Sequence, residues 1–283
     1  MEHRSLPRAA LTAAACIAAY LSTSWIQTAL FLFLDGKPHL SNSPWLTVLR
    51  LFSAAATIGV VLLFGRVLEK RTFTSMGFVR SRALPDYGLG FLAGNVLFAA
   101  AALICLLCGA VRIERAASAS PWWMAAYLTG FMVQGLSEEV LCRGYFLTAL
   151  RQRMSSSAAV LFSALVFAVL HLGNTGLTVI GFLNVFLFGV FAGMVFLRCG
   201  SVWCIAALHT AWNFVQGNVF GVQVSGNDVT VSLLSTTPQG DAWYLHGGAF
   251  GLEGGVAVTA TLLIATAIVA WRSRKLLGHT ATQ

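Results

Sequence analysis

The sequence predicts an all-α, polytopic membrane protein with about eight transmembrane helices. Three observations carry this expectation. The 283 residues are 57% hydrophobic and only 10% charged, whereas a soluble domain holds roughly 25% charged residues. Too few charges remain to solvate the surface of a soluble chain of this size, and the mean hydropathy is +0.77. The apolar residues fall in long runs near the ~20 residues that a helix needs to cross the hydrocarbon core, not in the alternating segments of a barrel. Lipid offers no partner to a backbone N–H or C=O, so such runs must bond internally as helices.

Taken in order, the candidate spans are roughly residues 9–34, 46–65, 88–110, 122–150, 157–171, 177–197, 202–220 and 250–271. The first follows M-E-H-R-S-L-P-R, a start that imitates a signal peptide. Its apolar stretch exceeds the roughly 7–15 residues of a signal-peptide core, so it reads as a retained span. The fourth run is long and the fifth short. Trp45, Trp122, Trp123, Trp243 and Trp271 stand at the proposed ends, where interfacial aromatics collect. The chain divides into residues 1–85, N-terminal helices with a basic cytoplasmic loop; 86–220, a membrane core; and 221–283, an outer loop, a last helix and a basic tail.

The net charge of +8 would suggest nucleic acid in a soluble protein. Here it is topogenic, and no nucleic-acid partner is expected. One side collects Arg4, Arg8, Arg66, Lys70, Arg71, Arg80, Arg82, Arg151, Arg153, Arg198, Arg272, Arg274 and Lys275, against Lys37, Arg50, Arg112 and Arg115 on the other. The positive-inside rule then puts both termini in the cytoplasm. The loop 222–249 carries no Lys or Arg, and its alternation around Ser225-Gly226-Asn227-Asp228 suggests a small hairpin. The six cysteines all lie in or beside apolar runs, which argues against a disulfide framework. Cys105 and Cys108 have a redox spacing but Leu, Ile and Ala neighbours, and read as packing residues. The Ala- and Gly-rich, loop-poor style points to a bacterial plasma membrane.

Ionisable residues inside a span are costly and mark functional sites by default. In G-L-S-E-E-V-L-C-R-G-Y-F (135–146) two of the chain's ten acidic residues stand together. At 100° per residue, Glu138 and Glu139 point to different sectors of their helix. Glu139 and Arg143 are four apart and meet on one face. One carboxylate is thus braced, and Glu138 is left to face something else. A packing knot of the whole group is the bland alternative. F-A-V-L-H (167–171) ends the short fifth run at His171, and H-T-A-W-N (209–213) puts His209 and Asn213 one turn apart. Taken singly, these read as a boundary histidine and as interhelical glue. Counting residues from the cytoplasmic ends gives depths of about 20 Å for Glu138, 22 Å for His171, and 12 and 18 Å for His209 and Asn213. Tilt closes most of that spread, so three helices can present these groups near one level.

E-E-x-x-x-R at 138–143, F-x-x-x-H at 167–171 and H-x-x-x-N at 209–213, in this order, resemble the three motifs of the CAAX-protease and bacteriocin-processing (Abi-type) intramembrane protease family, related to the type II CAAX prenyl endopeptidases. The likeness runs over about residues 87–220. The resemblance implies an intramembrane endopeptidase acting on a peptide or a membrane protein. Glu138 would activate water with help from His171. His209 and Asn213 would stabilise the oxyanion, Glu139 and Arg143 would support the site, and Phe167 would be a second-tier residue. An older interpretation of the family makes Glu138, His171 and His209 ligands of a catalytic zinc; the metal-free glutamate reading is favoured here. G-G-A-F-G-L-E-G-G (247–255) resembles a tail segment of some bacterial members. Its Glu253 reads first as an interfacial carboxylate near helix N-terminal amides, and second as a group for gating or substrate access.

Other readings stay open. A serine mechanism through Ser137 is poorly served by the acidic pair that follows it. An aspartyl mechanism needs two aspartates inside spans, and Asp35, Asp86, Asp228 and Asp241 fall in loops or at span edges. The main rivals are non-proteolytic: a membrane scaffold, or a transporter using the same polar cluster.

Overall fold

The computed structural model describes residues 43–116 and 119–277, together with ten single positions between Ala14 and Phe33, all ten of them helical. The expected span 9–34 therefore lies largely outside the described residues. The other seven expected spans are each occupied by a helix. These are α1 (Pro44–Val67), α2 (Ala83–Leu107), α3 (Pro121–Glu139), α4 (Ser156–Val169), α5 (Val179–Cys199), α6 (Val202–Phe214) and, after a four-residue helix α7 (Trp243–His246), α8 (Val256–Leu277). By length and composition, Pro44–Val67, Arg80–Leu107 and Val179–Cys199 are apolar enough to cross a membrane. The apolar helices are those of a membrane protein. α2 shows how they are solvated: Leu89, Leu92, Val96 and Leu103 face outward, while Gly90, Gly94, Phe98, Ala101, Ala102 and Cys105 are buried. An outward apolar stripe of this kind fits lipid rather than water.

Local chemistry fixes the helix starts. Ser43 accepts from the Trp45 amide with Pro44 at the first position. Ser155 caps α4, Thr178 caps α5 and Ser201 caps α6, each through its side-chain oxygen. Such caps satisfy amides that have no partner within the helix. Three helices widen into π turns: α1 over Phe64–Leu68, α3 over Val140–Leu147 and α6 over Val215–Val219. The α3 widening begins at the residue after Glu139. Arg71 braces it from the preceding loop by donating to the carbonyls of Gly144 (3.3 Å) and Tyr145 (3.2 Å) and to the Thr148 hydroxyl.

α6 is the central helix. α2 lies along it, α3 packs on another side, and α5 joins α4 to α8. The α2–α6 contact is close because Gly90 and Gly94 face it. A Cβ on Gly90 would stand 1.9 Å from the Cys204 carbonyl oxygen, and one on Gly94 2.3 Å from that of Leu208. Small residues four apart let helix backbones approach in this way.

The expectation of an all-helical chain needs one correction. β1 (Val111–Arg115) pairs antiparallel with β2 (Leu234–Pro238), from Val111 opposite Pro238 to Arg115 opposite Leu234. V-R-I-E-R alternates, but its charges made it read as loop. The predicted hairpin at 222–231 reduces to a tight turn with a single bridge, Val224 to Asn227. Its central residues Ser225 and Gly226 have φ of 48° and 79°, the positive pair that a type I′ turn requires. Cys105, Cys108, Cys199 and Cys204 form no disulfide among the described residues.

Candidate active site

Three elements bring the polar residues together. α3 contributes Gln134, Glu138 and Glu139, and its π continuation contributes Arg143. The turn after α4 contributes His171, and α6 contributes His209 and Asn213. The two neighbouring glutamates do separate, as their angular spacing predicts. Glu139 is sealed at 0% exposure, while Glu138 keeps 23% of its side chain open.

Glu139 Oε1 accepts from Arg143 Nη1 at 3.0 Å and from His209 Nδ1 at 2.9 Å. Arg143 Nη2 donates to the Gly189 carbonyl on α5 at 3.1 Å, and the guanidinium lies 4.6 Å from the Phe167 ring centre. The brace thus ties α3 to α5 and α6, which is more than the intrahelical pair expected. Phe167 stacks on Phe188, and its ring centre is 4.6 Å from that of His171.

Glu138 Oε2 lies 3.8 Å from His209 Nε2 and 4.0 Å from His171 Nε2, and has no hydrogen-bond partner among the described residues. His171 Nδ1 is 2.8 Å from the Phe167 carbonyl, so it donates there. Both imidazoles therefore hold Nδ1–H against a fixed acceptor and turn Nε2 toward Glu138. Separations near 4 Å suit a contact bridged by water.

Gln134 was not anticipated. Its Nε2 donates to Glu138 Oε1, and its Oε1 accepts from Asn213 Nδ2 at 2.9 Å. It links Asn213 to Glu138, which Asn213 does not touch directly. The signal was available: Gln134 is four residues before Glu138, the same spacing that paired Glu139 with Arg143. Ser137 donates to the Gln134 carbonyl at 2.7 Å, an ordinary back-bond within the helix.

Glu138, His171, His209, Gln134 and Asn213 line one cleft of about 490 Å³, bounded on other sides by Arg50 of α1 and the 224–230 turn. Glu253 stands elsewhere. It does not bond the first amides of α8, as was expected first. It precedes that helix in a 3₁₀ turn and accepts from Trp212 and Ser225.

Residues 120–215 match the family model described as type II CAAX prenyl endopeptidase Rce1-like. Over this segment the chain is similar to the CAAX-protease family. No curated protein matches the chain. The matched segment begins beside α3 and ends after α6, and it encloses every residue of the three motifs. β1, β2 and the Glu253 turn lie outside it.

Glu138, His171 and His209 are the donor types of a two-histidine, one-carboxylate zinc site. Ligand atoms around a tetrahedral zinc stand about 3.3 Å apart, given bonds near 2.0–2.1 Å. The separations from Glu138 Oε2 are wider, and among the described residues no group of three His, Cys, Asp or Glu is arranged to hold a metal ion.

Proposed function

We propose that this chain is an intramembrane endopeptidase that hydrolyses a peptide bond in a peptide or membrane-protein substrate by glutamate-activated water. The observation that carries this reading is the approach of Glu138 Oε2 to the Nε2 atoms of His209 and His171, inside the matched segment. Glu138 takes a proton from water held between the three groups, and the hydroxide attacks the scissile carbonyl. The oxyanion accepts from Asn213 Nδ2–H and His209 Nε2–H. With Nδ1–H given to Glu139, His209 donates from Nε2 only as imidazolium, and the Glu139 carboxylate is the counter-ion of that cation. His171 assists the proton on its way to the leaving amine. Preorganised donors of this kind are the largest single term in many such reactions.

Eight crossings with both termini in the cytoplasm of a bacterial cell complete the reading, supported by the distribution of Lys and Arg. The test is peptide-terminus mass spectrometry on membranes carrying the wild type or Glu138→Gln, each with and without a strong chelator. New termini are expected with the wild type alone, in both conditions. Loss of the signal in chelator would move the mechanism to zinc. Identical termini from both proteins, at equal folded amounts, would leave the chain a scaffold or transporter.

A further inference from the structure

The Glu253 carboxylate is a junction that the catalytic reading does not use. Its Oε1 accepts the Trp212 indole N–H at 2.9 Å. Its Oε2 accepts both the backbone N–H and the hydroxyl of Ser225, at 2.8 and 2.7 Å. Its own carbonyl accepts from Asn184 Nδ2 of α5 at 2.7 Å. One residue therefore joins α5, α6, the 224–227 turn and the head of α8.

Two of these partners border the site. Trp212 stands between His209 and Asn213 on α6, and its ring packs edge-on against Phe188, which in turn meets His209. Ser225 holds a left-handed backbone (φ 48°) without being glycine. That conformation is costly for a residue with a side chain and persists only where its surroundings enforce it. The two bonds from Ser225 to Glu253 are that enforcement. Ser225, His171 and His209 also line both the cleft and a second, small chamber of about 20 Å³ that Glu253, Trp212 and Asn184 complete. Such a chamber has room for about one water molecule. The two imidazoles thus form a wall with Glu138 on one side and Glu253 on the other.

We propose that Glu253 is a positioning residue of the proteolytic site: by clamping Trp212 and Ser225 it holds the His171–His209 wall in register with Glu138. The proposal rests on the endopeptidase reading. The clamp needs a carboxylate, because three N–H or O–H donors converge on its two oxygens. A glutamine there must turn its NH₂ toward one of them and lose that side of the junction.

The test uses the full chain in lipid nanodiscs. Its probe is a synthetic peptide spanning the site whose new termini the wild type generates. Glu253→Gln, which must give up either the Trp212 or the Ser225 side of the clamp, is expected to loosen the junction and raise hydrogen exchange in 222–231. It should also lower kcat per folded molecule about 10- to 100-fold with KM little changed, the scale of a small misplacement of catalytic groups. Trp212→Phe keeps an aromatic ring, removes the N–H, and should lower kcat in the same way, which keeps the proposal testable if Glu253→Gln folds poorly. The double variant should be no worse than the worse single. Wild-type kcat in both singles, or a loss confined to yield or to KM, overturns the clamp. Glu138→Gln separates the two readings. If it cleaves like the wild type, the endopeptidase reading falls and the clamp with it; if it is inactive while both clamp variants keep full kcat, only the clamp falls.

Discussion

Nδ1 of His209 lies 2.9 Å from Glu139 Oε1, the same oxygen that receives Arg143 at 3.0 Å. One buried anion therefore holds a structural cation and a site imidazole at once. Removing one member of a buried pair strands the other, at a cost of about 3–5 kcal/mol. Arg143→Met should accordingly lower the thermal midpoint and the yield of monodisperse protein. Arg143→Lys should not rescue it, because one ammonium cannot repeat the guanidinium's fork to Glu139 and the Gly189 carbonyl. Replacing both partners, Glu139→Met with Arg143→Met, is expected to recover much of the fold, since apolar substitutes for a buried pair are often tolerated. It should not recover cleavage, because His209 Nδ1 has lost its acceptor. Wild-type cleavage by a well-folded double variant would show that Glu139 serves the fold alone.

Gln134 makes a different prediction. It bonds both Glu138 and Asn213 without being charged itself. Gln134→Leu should keep the melting temperature close to wild type while disordering both groups. Loss of a single oxyanion donor costs about 10²–10³ in kcat. Asn213→Ala is expected in that range, and Gln134→Leu near its lower end. Because the two side chains act through one hydrogen bond, the double variant should fall well short of the product of the singles. Steady-state kinetics on the probe peptide would read this coupling. Multiplicative losses would mean that Gln134 and Asn213 act apart.

Arg71 carries a third prediction. It faces the carbonyls of Gly144 and Tyr145 in the widened turn that follows Glu139. Arg71→Ala removes these charged donors and leaves the carbonyls to the Thr148 hydroxyl, at a cost of about 1.5–3 kcal/mol for hydrogen bonds to a charged group. The expected result is a lower thermal midpoint, with kcat per folded molecule near wild type. A normal midpoint would mean that the π turn holds without this brace.

The parts of the molecule that were legible in the sequence are those set by local spacing. Seven apolar runs became helices because run length is a property of consecutive residues. The separation of Glu138 from Glu139 followed from 100° per residue, and the match over 120–215 fell on the motifs that had been read. What was hidden depends on distant pairs. β1 and β2 are more than 100 residues apart and too short to declare themselves among charges. The Glu253 junction joins positions 28, 41 and 69 residues away, and no periodicity links them. Gln134 was the avoidable omission, since its partner lay one helical turn ahead.

The α2–α6 contact gives the last prediction and carries its own control. Gly90 and Gly94 face α6, where a Cβ on Gly94 would stand 2.3 Å from the Leu208 carbonyl oxygen and 2.8 Å from the Ala211 Cβ. Gly88, on the same helix, has nothing within 4 Å of its would-be Cβ. Gly94→Ala must push α6 away from α2, and overpacking of this kind costs about 1–3 kcal/mol. Leu208 and Ala211 flank His209, so the displacement reaches the imidazole wall directly, and kcat should fall with the thermal midpoint. Gly88→Ala should instead be neutral or stabilising by up to ~1 kcal/mol, as alanine favours the helix over glycine. Thermal unfolding of the two variants side by side separates contact from helix propensity. Equal midpoints for both would mean that α2 does not set the position of α6.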